Sequence, residues 1–185
     1  MSGRLIIIAS PSGGGKTSII KELMRRHPEL IHSISWTTRP ARPGRIDEGY
    51  YKIVTREEFE MGIKDGIFAE WAEVHGHLYG TPKAPVEEAI SQGKYMLLDL
   101  DVVGSMRLRK IYGNAAVAIF VMPPSIDVLK ERLIGRATDS AEEQAKRLAN
   151  AMREIEAKDM FDFVVVNDDI GKACDEIEEI IFRKK

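Results

Sequence analysis

The segment Ser10-Pro-Ser-Gly-Gly-Gly-Lys-Thr17 follows an apolar run at residues 5–9 and leads into Ile20, Leu23, Met24 and His27 at helical spacing, which Pro28 stops. A β-branched run that ends in glycines and restarts as a helix leaves the chain few ways to fold. Backbone N–H groups at the helix N-terminus then face the end of the strand, an arrangement that attracts anions. The segment reads as a phosphate-binding P-loop: Ser10, Pro11, Ser12, Gly13, Gly14 and Gly15 wrap the phosphates, Lys16 reaches the β/γ oxygens, and the Thr17 hydroxyl ligates Mg2+. The strict pattern has glycine where Ser10 stands, so this serine is asked for a backbone conformation that glycine adopts more freely. The alternative is a glycine-rich turn carrying a surface lysine. The strand before, the helix after and the intact Gly15-Lys16-Thr17 count against it.

The strand-then-helix rhythm recurs. An apolar run at 94–100 leads to a helical stretch at 104–112, and a second run at 115–122 passes through Pro123-Pro124-Ser125 into Ile126, Leu129 and Leu133. Residues 163–166, the turn Asn167-Asp168-Asp169 and a helix over 170–182 close the series. Continuous rather than alternating apolar strands, separated by amphipathic helices, predict an α/β fold of P-loop type with a parallel sheet covered on both faces.

Two stretches break the rhythm. Residues 31–81 hold strand-like segments at 31–37, 50–54 and 67–74, a Pro/Gly/Arg-rich loop, and a short helix begun by the capping box Thr55-Arg-Glu-Glu58 and ended at Gly66. They predict a small inserted α+β nucleotide-binding subdomain. Residues 132–147 hold a polar connection between helices, with Ser140 and Glu143 as a further capping box, and predict a helical lid. The expected organisation is one domain over 1–185, with a core at 1–32, 82–126 and 150–185, an insertion at about 33–81 and a lid at about 127–149.

Lys+Arg 27 against Asp+Glu 29 leaves a net charge of -2, so any anion site must be local, and neither nucleic acid nor membrane is expected as partner. The longest apolar runs, 5–9 and 115–122, fall short of the roughly 18 residues of a membrane span. The start of the chain lacks the pattern of a secretory signal, and the one cysteine, Cys174, falls on the apolar helix stripe Ile170, Ala173, Ile177, Ile181. A cytoplasmic protein is expected.

Asp99 and Asp101 end an apolar strand at the edge where parallel sheets bind ligands. Asp99 sits where an acidic side chain orients Mg2+, although strand-end aspartates also cap following helices. Arg39, Arg42 and Arg45 recur every third residue in a Pro-bearing segment, the period of polyproline II, so they can share an edge and bind a second phosphate; a solvated basic loop is the alternative. Glu70 alternates with Phe68, Ala72 and Val74 on an apolar strand face. A carboxylate there needs a partner, either an internal cation or paired N–H donors such as guanine's N1–H and exocyclic amine, whereas adenine's N1 lone pair would repel it. His75-Gly-His77 has no further ligands at metal-site spacing. Arg132 and Arg136 lie four apart on one helix face, with Arg147 across the lid connection, positioned to close over transferring phosphates unless they are simply exposed.

Across essentially its whole length the sequence resembles the guanylate kinases. The likeness rests on Ser12-Gly-Gly-Gly-Lys-Thr, Ser35-Trp-Thr-Thr-Arg-Pro-Ala-Arg-Pro-Gly44, Glu70-Trp, Tyr79-Gly-Thr81, Asp99-Leu-Asp101, Pro123-Pro-Ser125, the segment from Arg132 to Arg136, and Val166-Asn-Asp-Asp169. It implies transfer of the γ-phosphoryl group of Mg-ATP to GMP, with Ser35, Glu70 and Thr81 at the guanine and Arg39, Arg42, Tyr51 and Tyr79 at the GMP phosphate. Asp101 falls in the same pocket, and Arg132, Arg136 and Arg147 are the implied lid arginines, catalytic together with Lys16 and Arg39. Departures from the family pattern are Ser10, Trp36, Val103 and Ala137. The expected partners are ATP and GMP, with dGMP left open, and the expected state is a monomer or homodimer. A kinase for another monophosphate, a P-loop ATPase coupled to a partner, and a guanylate-kinase-like phosphopeptide module are the competing readings.

Overall fold

The first half of the chain runs β1 (Arg4–Ala9), α1 (Lys16–Arg26), β2 (Ile31–His32), β3 (Ser35–Thr37), β4 (Tyr51–Ile53), α2 (Arg56–Lys64), β5 (Phe68–Val74), β6 (His77–Pro82) and α3 (Lys83–Ser91). It continues through β7 (Tyr95–Asp99), α4 (Val102–Tyr112), β8 (Ala116–Met122), α5 (Ile126–Ile134), α6 (Ala141–Glu156), β9 (Phe163–Val166) and α7 (Ile170–Phe182). The computed structural model describes residues 3–41, 49–74, 76–134 and 141–182. Among these, no helix is long and apolar enough to cross a membrane.

The larger sheet is parallel, in the order β2-β7-β1-β8-β9. Its strands are apolar on both faces because both faces are covered. Ile6, Ile8, Ile119 and Val121 pack with Ile19, Ile20 and Leu23 of α1 and with Ala173, Cys174 and Ile177 of α7. On the opposite face Leu5, Ile7, Leu98 and Phe120 pack with Val86 of α3 and Leu108 of α4. Each buried Leu, Ile, Val or Phe among them contributes about 1.5–3 kcal/mol of transfer free energy. Helix α4 starts where the Asp101 carboxylate accepts from the Gly104 N–H at 2.7 Å.

The smaller sheet has the order β4-β3-β6-β5 and carries α2, whose capping box forms as the spacing requires: Glu58 N donates to Thr55 Oγ1 at 3.1 Å and Thr55 N to Glu58 Oε2 at 2.7 Å. The expected single strand at 31–37 is two strands in two sheets. Residues Ile31 and His32 pair with Met96 and Leu97 of the larger sheet, Ser33 N still donates to Leu97 O at 2.9 Å, and the chain then leaves to pair Trp36 with Gly80 in the smaller one. Neither β6 nor α3 has a clear sequence signal. Gly80 and Pro82 weaken the strand pattern, and α3 begins at Pro82 with no side-chain cap.

The most consequential departure is a bulge. Phe68 pairs with Pro82 and Glu70 with Thr81, so one extra residue of β5 is taken up between them. The face shared by Phe68 and Glu70 in simple alternation is therefore split. Phe68 turns toward α2, stacking on Phe59 at 4.5 Å and meeting Trp36 edge-on at 5.4 Å, while Glu70 lines the cleft with Ala72 and Val74. Gly80 makes room for the aromatic cluster: a Cβ there would lie 2.7 Å from Phe68 Cδ1 and 2.8 Å from Phe59 Cζ. Gly80→Ala should lower stability by about 1–3 kcal/mol through overpacking, read from urea unfolding midpoints at unchanged m-value.

Candidate functional site

A cleft of about 1230 Å³ lies at the carboxyl edge of β1 and β7 and reaches across to the smaller sheet. On one wall is the loop from Ser10 to Gly15. Gly13 and Gly15 hold φ of 87° and 93°, and Gly14 N closes a turn onto Pro11 O at 2.8 Å. Ser10 is accommodated because position 14 has no side chain: a Cβ on Gly14 would stand 2.9 Å from Ser10 Cβ. Gly15 caps α1 without a side-chain bond, and the first turn of α1 has no acidic residue, so the helix presents free amides to an anion.

Two residues absent from the sequence-derived set brace this loop. Asn167, buried at the end of β9, donates from Nδ2 to Gly14 O at 2.9 Å and would meet any Cβ on Gly15 at 2.2 Å. Glu154 of α6 accepts from the Ser12 N–H at 3.1 Å. A polar residue directly after the apolar run 163–166 is a sequence signal for Asn167; Glu154 has none. Lys16 Nζ lies 2.5 Å from Asp99 Oδ1 and donates to Leu100 O at 2.9 Å, which brings lysine and aspartate together at the cleft mouth, with Thr17 also lining it.

Arg132 on α5 lines the same wall. Its Nη2 donates to Asn167 O at 3.3 Å, whereas Arg132 Nη1 and Asn167 Oδ1 are buried with no hydrogen-bond partner among the described residues. A buried donor and a buried acceptor left in this state favour a polar ligand beside the loop. Arg147 lies on α6, partly buried and outside the cleft lining, while Arg42, Arg45, His75, Arg136, Ala137 and Ser140 lie outside the described residues.

The facing wall gathers Ser35, Arg39, Tyr51, Glu70, Tyr79 and Asp101. The Arg39 guanidinium lies 5.6 Å from the centre of the Tyr51 ring and 5.9 Å from that of Tyr79, a cation held beside two phenols. Ser35 and Thr81 are buried, and Thr81 Oγ1 donates to Glu70 Oε1 at 2.8 Å. Glu70 is 7% exposed and forms no salt bridge among the described residues. Burial pushes its carboxyl up to about 7, against the Thr81 hydrogen bond, and the Asp101 charge adds to the rise while the Arg107 charge opposes it. Asp101 both caps α4 and lines the cleft.

Such a site, with a P-loop at the end of the central strand, an acidic residue on the neighbouring strand and a second polar pocket opposite, defines a P-loop protein built for two ligands. The family model described as "Guanylate kinase" matches residues 2–184. A guanylate kinase of Rhodococcus jostii is 47% identical over 181 residues, covering 97% of this chain and 87% of that protein. One of Synechocystis sp. is 44% identical, covering 98% and 94%. The crystal structure of guanylate kinase from Anaplasma phagocytophilum superposes with a TM-score of 0.81 at 32% identity, covering 97% of this chain and 85% of that one. The chain belongs to the guanylate kinase family.

A carboxyl raised by burial costs stability wherever it is ionised in the folded state. The loss begins as pH rises past the unfolded value near 4.5 and is complete above the folded value of about 7. Glu70→Gln should therefore stabilise the fold at pH 8 by on the order of 2–3 kcal/mol, with the gain vanishing by about pH 4, measured by urea unfolding across that range.

Proposed function

We infer that this chain carries out the reaction of its family, transferring the γ-phosphoryl group of ATP to GMP and giving ADP and GDP. The observation that carries the acceptor's identity is Glu70, a buried carboxylate paired with Thr81 across the cleft from the P-loop. Guanine's N1–H and exocyclic amine supply two donors to that carboxylate, whereas adenine sets a lone pair against it. Ser35 and Thr81 complete the base pocket, with Asp101 beside them. Arg39, Tyr51 and Tyr79, with Arg42, hold the acceptor phosphate.

On the donor side the loop from Ser10 to Thr17 receives the ATP phosphates. An oxygen of the GMP phosphate attacks the γ-phosphorus in line, and the bond to the ADP oxygen breaks. No protein base is required, because the acceptor is already an anion, so catalysis is alignment and neutralisation of charge by Lys16, Arg39 and the lid arginines Arg132, Arg136 and Arg147. The Thr17 hydroxyl and Asp99 carboxylate are oxygen donors of the kind Mg2+ prefers, and these residues would hold it at the cleft mouth. When bound, Mg2+ neutralises charge on the transferring phosphates.

The reading divides the chain into a core at 1–32, 82–126 and 150–185, a GMP-binding insertion at about 33–81 and a lid at about 127–149. It places the enzyme in the cytoplasm, with Cys174 a free buried thiol. A phosphopeptide-binding module is the weaker reading, since Lys16 and Thr17 stand in a complete loop. A coupled assay of ADP release over a panel of nucleoside monophosphates separates the kinase readings, and turnover with GMP is expected while AMP, CMP and UMP give none. Lys16→Ala should reduce kcat by about 100-fold or more with the fold retained. Glu70→Gln should lower kcat/KM for GMP by about 100-fold, with the apparent KM for ATP within a few-fold of the parent value.

A further inference from the structure

Beside the base pocket, on the outer side of β5, Phe68, Ala69, Glu70 and Trp71 form a second hollow with Arg107, Lys110 and Ile111 of α4. It is here that the core helix α4 and strand β5 of the smaller sheet are joined by a hydrogen bond from Arg107 Nη1 to the Trp71 carbonyl. Trp71 is the residue that follows Glu70. The nearby arginines are engaged elsewhere: Arg109 of α4 pairs with Asp162 at 2.8 Å, and Arg56 of α2 with Glu60 at 3.0 Å and Glu73 at 3.4 Å. Arg107 forms no ion pair among the described residues.

We propose that Arg107 is a positioning residue for the acceptor base: it ties β5 to α4 through the Trp71 carbonyl and sets an unneutralised positive charge beside the Glu70 carboxylate. The proposal rests on the reading that Glu70 receives the guanine edge. Only the ionised carboxylate accepts two N–H bonds, and burial works against that form. The groups facing Glu70 are few. From β6 comes the Thr81 hydroxyl, which favours the ionised form, and from α4 come Asp101, which disfavours it, and Arg107, which favours it. Tyr79 of β6, Ser35 of β3 and Arg39 line the cleft, Lys16 and Asp99 pair across it, and on α3 Lys83 pairs with Glu87 at 3.6 Å. Arg107, which shares the second hollow with Glu70, is the cation that opposes the rise that burial imposes on it.

Gly104 makes the arrangement possible at close range. A Cβ there would lie 3.0 Å from both Glu70 Oε2 and Asp101 Oδ1, so the carboxylate sits against the first turn of the helix that bears Arg107. The helix N-terminus and Arg107 both favour negative charge at that spot. Because Arg107 is exposed, its influence is a modest one that salt reduces.

The test compares kcat/KM for GMP between the parent enzyme and Arg107→Gln and Arg107→Lys across pH 5.5–8.5, at low and high ionic strength, with Glu70→Gln alongside. Taking the ratio at each pH cancels the titration of GMP's own phosphate. Any loss of Arg107→Gln at pH 8.5 reads the lost tie to Trp71, and at pH 6 the variant should fall about threefold further below the parent, with that extra gap closing in high salt. Arg107→Lys, which keeps the charge, should follow the parent's pH profile. A loss for Arg107→Gln that is equal at every pH means structural support only and overturns the charge role, and no loss at all overturns the proposal, while in either case a defective Glu70→Gln leaves the base reading standing. If Glu70→Gln itself phosphorylates GMP normally, the base reading fails and the proposal with it.

Discussion

Between β1 and β7 the parallel ladder runs from Arg4 opposite Tyr95 to Ile8 opposite Asp99, and this register sets where Lys16 and Asp99 meet in the cleft. It brings Asp99 alongside the end of β1, two residues before Ser10, so that the lysine beginning α1 falls 2.5 Å from the carboxylate. A slip of one residue would turn an apolar side chain toward Lys16 and the acid toward the core, an arrangement the buried strands on either side do not permit. On its other edge β1 pairs Ala9 with Phe120 of β8, and β8 pairs Met122 with Val166 of β9, which delivers Asn167 to the back of the loop. The apolar core is what fixes the register, and the polar site inherits its geometry from it.

The base pocket obeys a different economy. A buried carboxyl near pH 7 is a poor element of a fold, and the smaller sheet retains it with one hydroxyl and one helix N-terminus close by. On the proposed reading the two N–H groups of guanine would complete what the protein leaves unfinished, so the ligand would stabilise the ionised form and lower the carboxyl's tendency to hold a proton. Acceptor binding and proton release at Glu70 are then linked: binding near neutral pH should expel part of a proton. The bulge between Phe68 and Glu70 is the structural device behind this, because it lets an aromatic residue serve the small hydrophobic cluster with Phe59 while its near neighbour serves the cleft.

Much of this was legible in the residues, and what was not has identifiable causes. Strand-loop-helix order, the apolar runs and the Thr55–Glu58 capping box are local signals, and local signals suffice for a parallel sheet with helices on both sides. The segment 31–37 looks like one strand because side-chain alternation says nothing about which partner strand is available, and here the partner changes from β7 to β6 after Ser33. The face of Phe68 is hidden from the sequence because a bulge leaves the amino-acid pattern intact while shifting its phase. Glu154 and Arg107 stand at ordinary spacing on polar helix faces, and only the tertiary fold shows that one reaches the Ser12 amide and the other the Trp71 carbonyl.

The two walls of the cleft are built in unlike ways. The P-loop wall is backbone, glycine and point charge, braced by Asn167 through a carbonyl that no anion needs and by Glu154 through an amide that an anion can claim. On the proposed reading the first brace would survive ligand entry and the second would compete with it, so the loop would keep its shape while its amides are handed over. None of those groups reads a base. The opposite wall is side-chain shape throughout: Ser35, Thr81 and Glu70 are buried, and Arg39 is held beside two phenols. A change of phosphate donor can be absorbed with little effect on the first wall. A change of acceptor has to alter the hydrogen-bonding sense of a buried group on the second, and Glu70 is the group whose sense is set by a single proton.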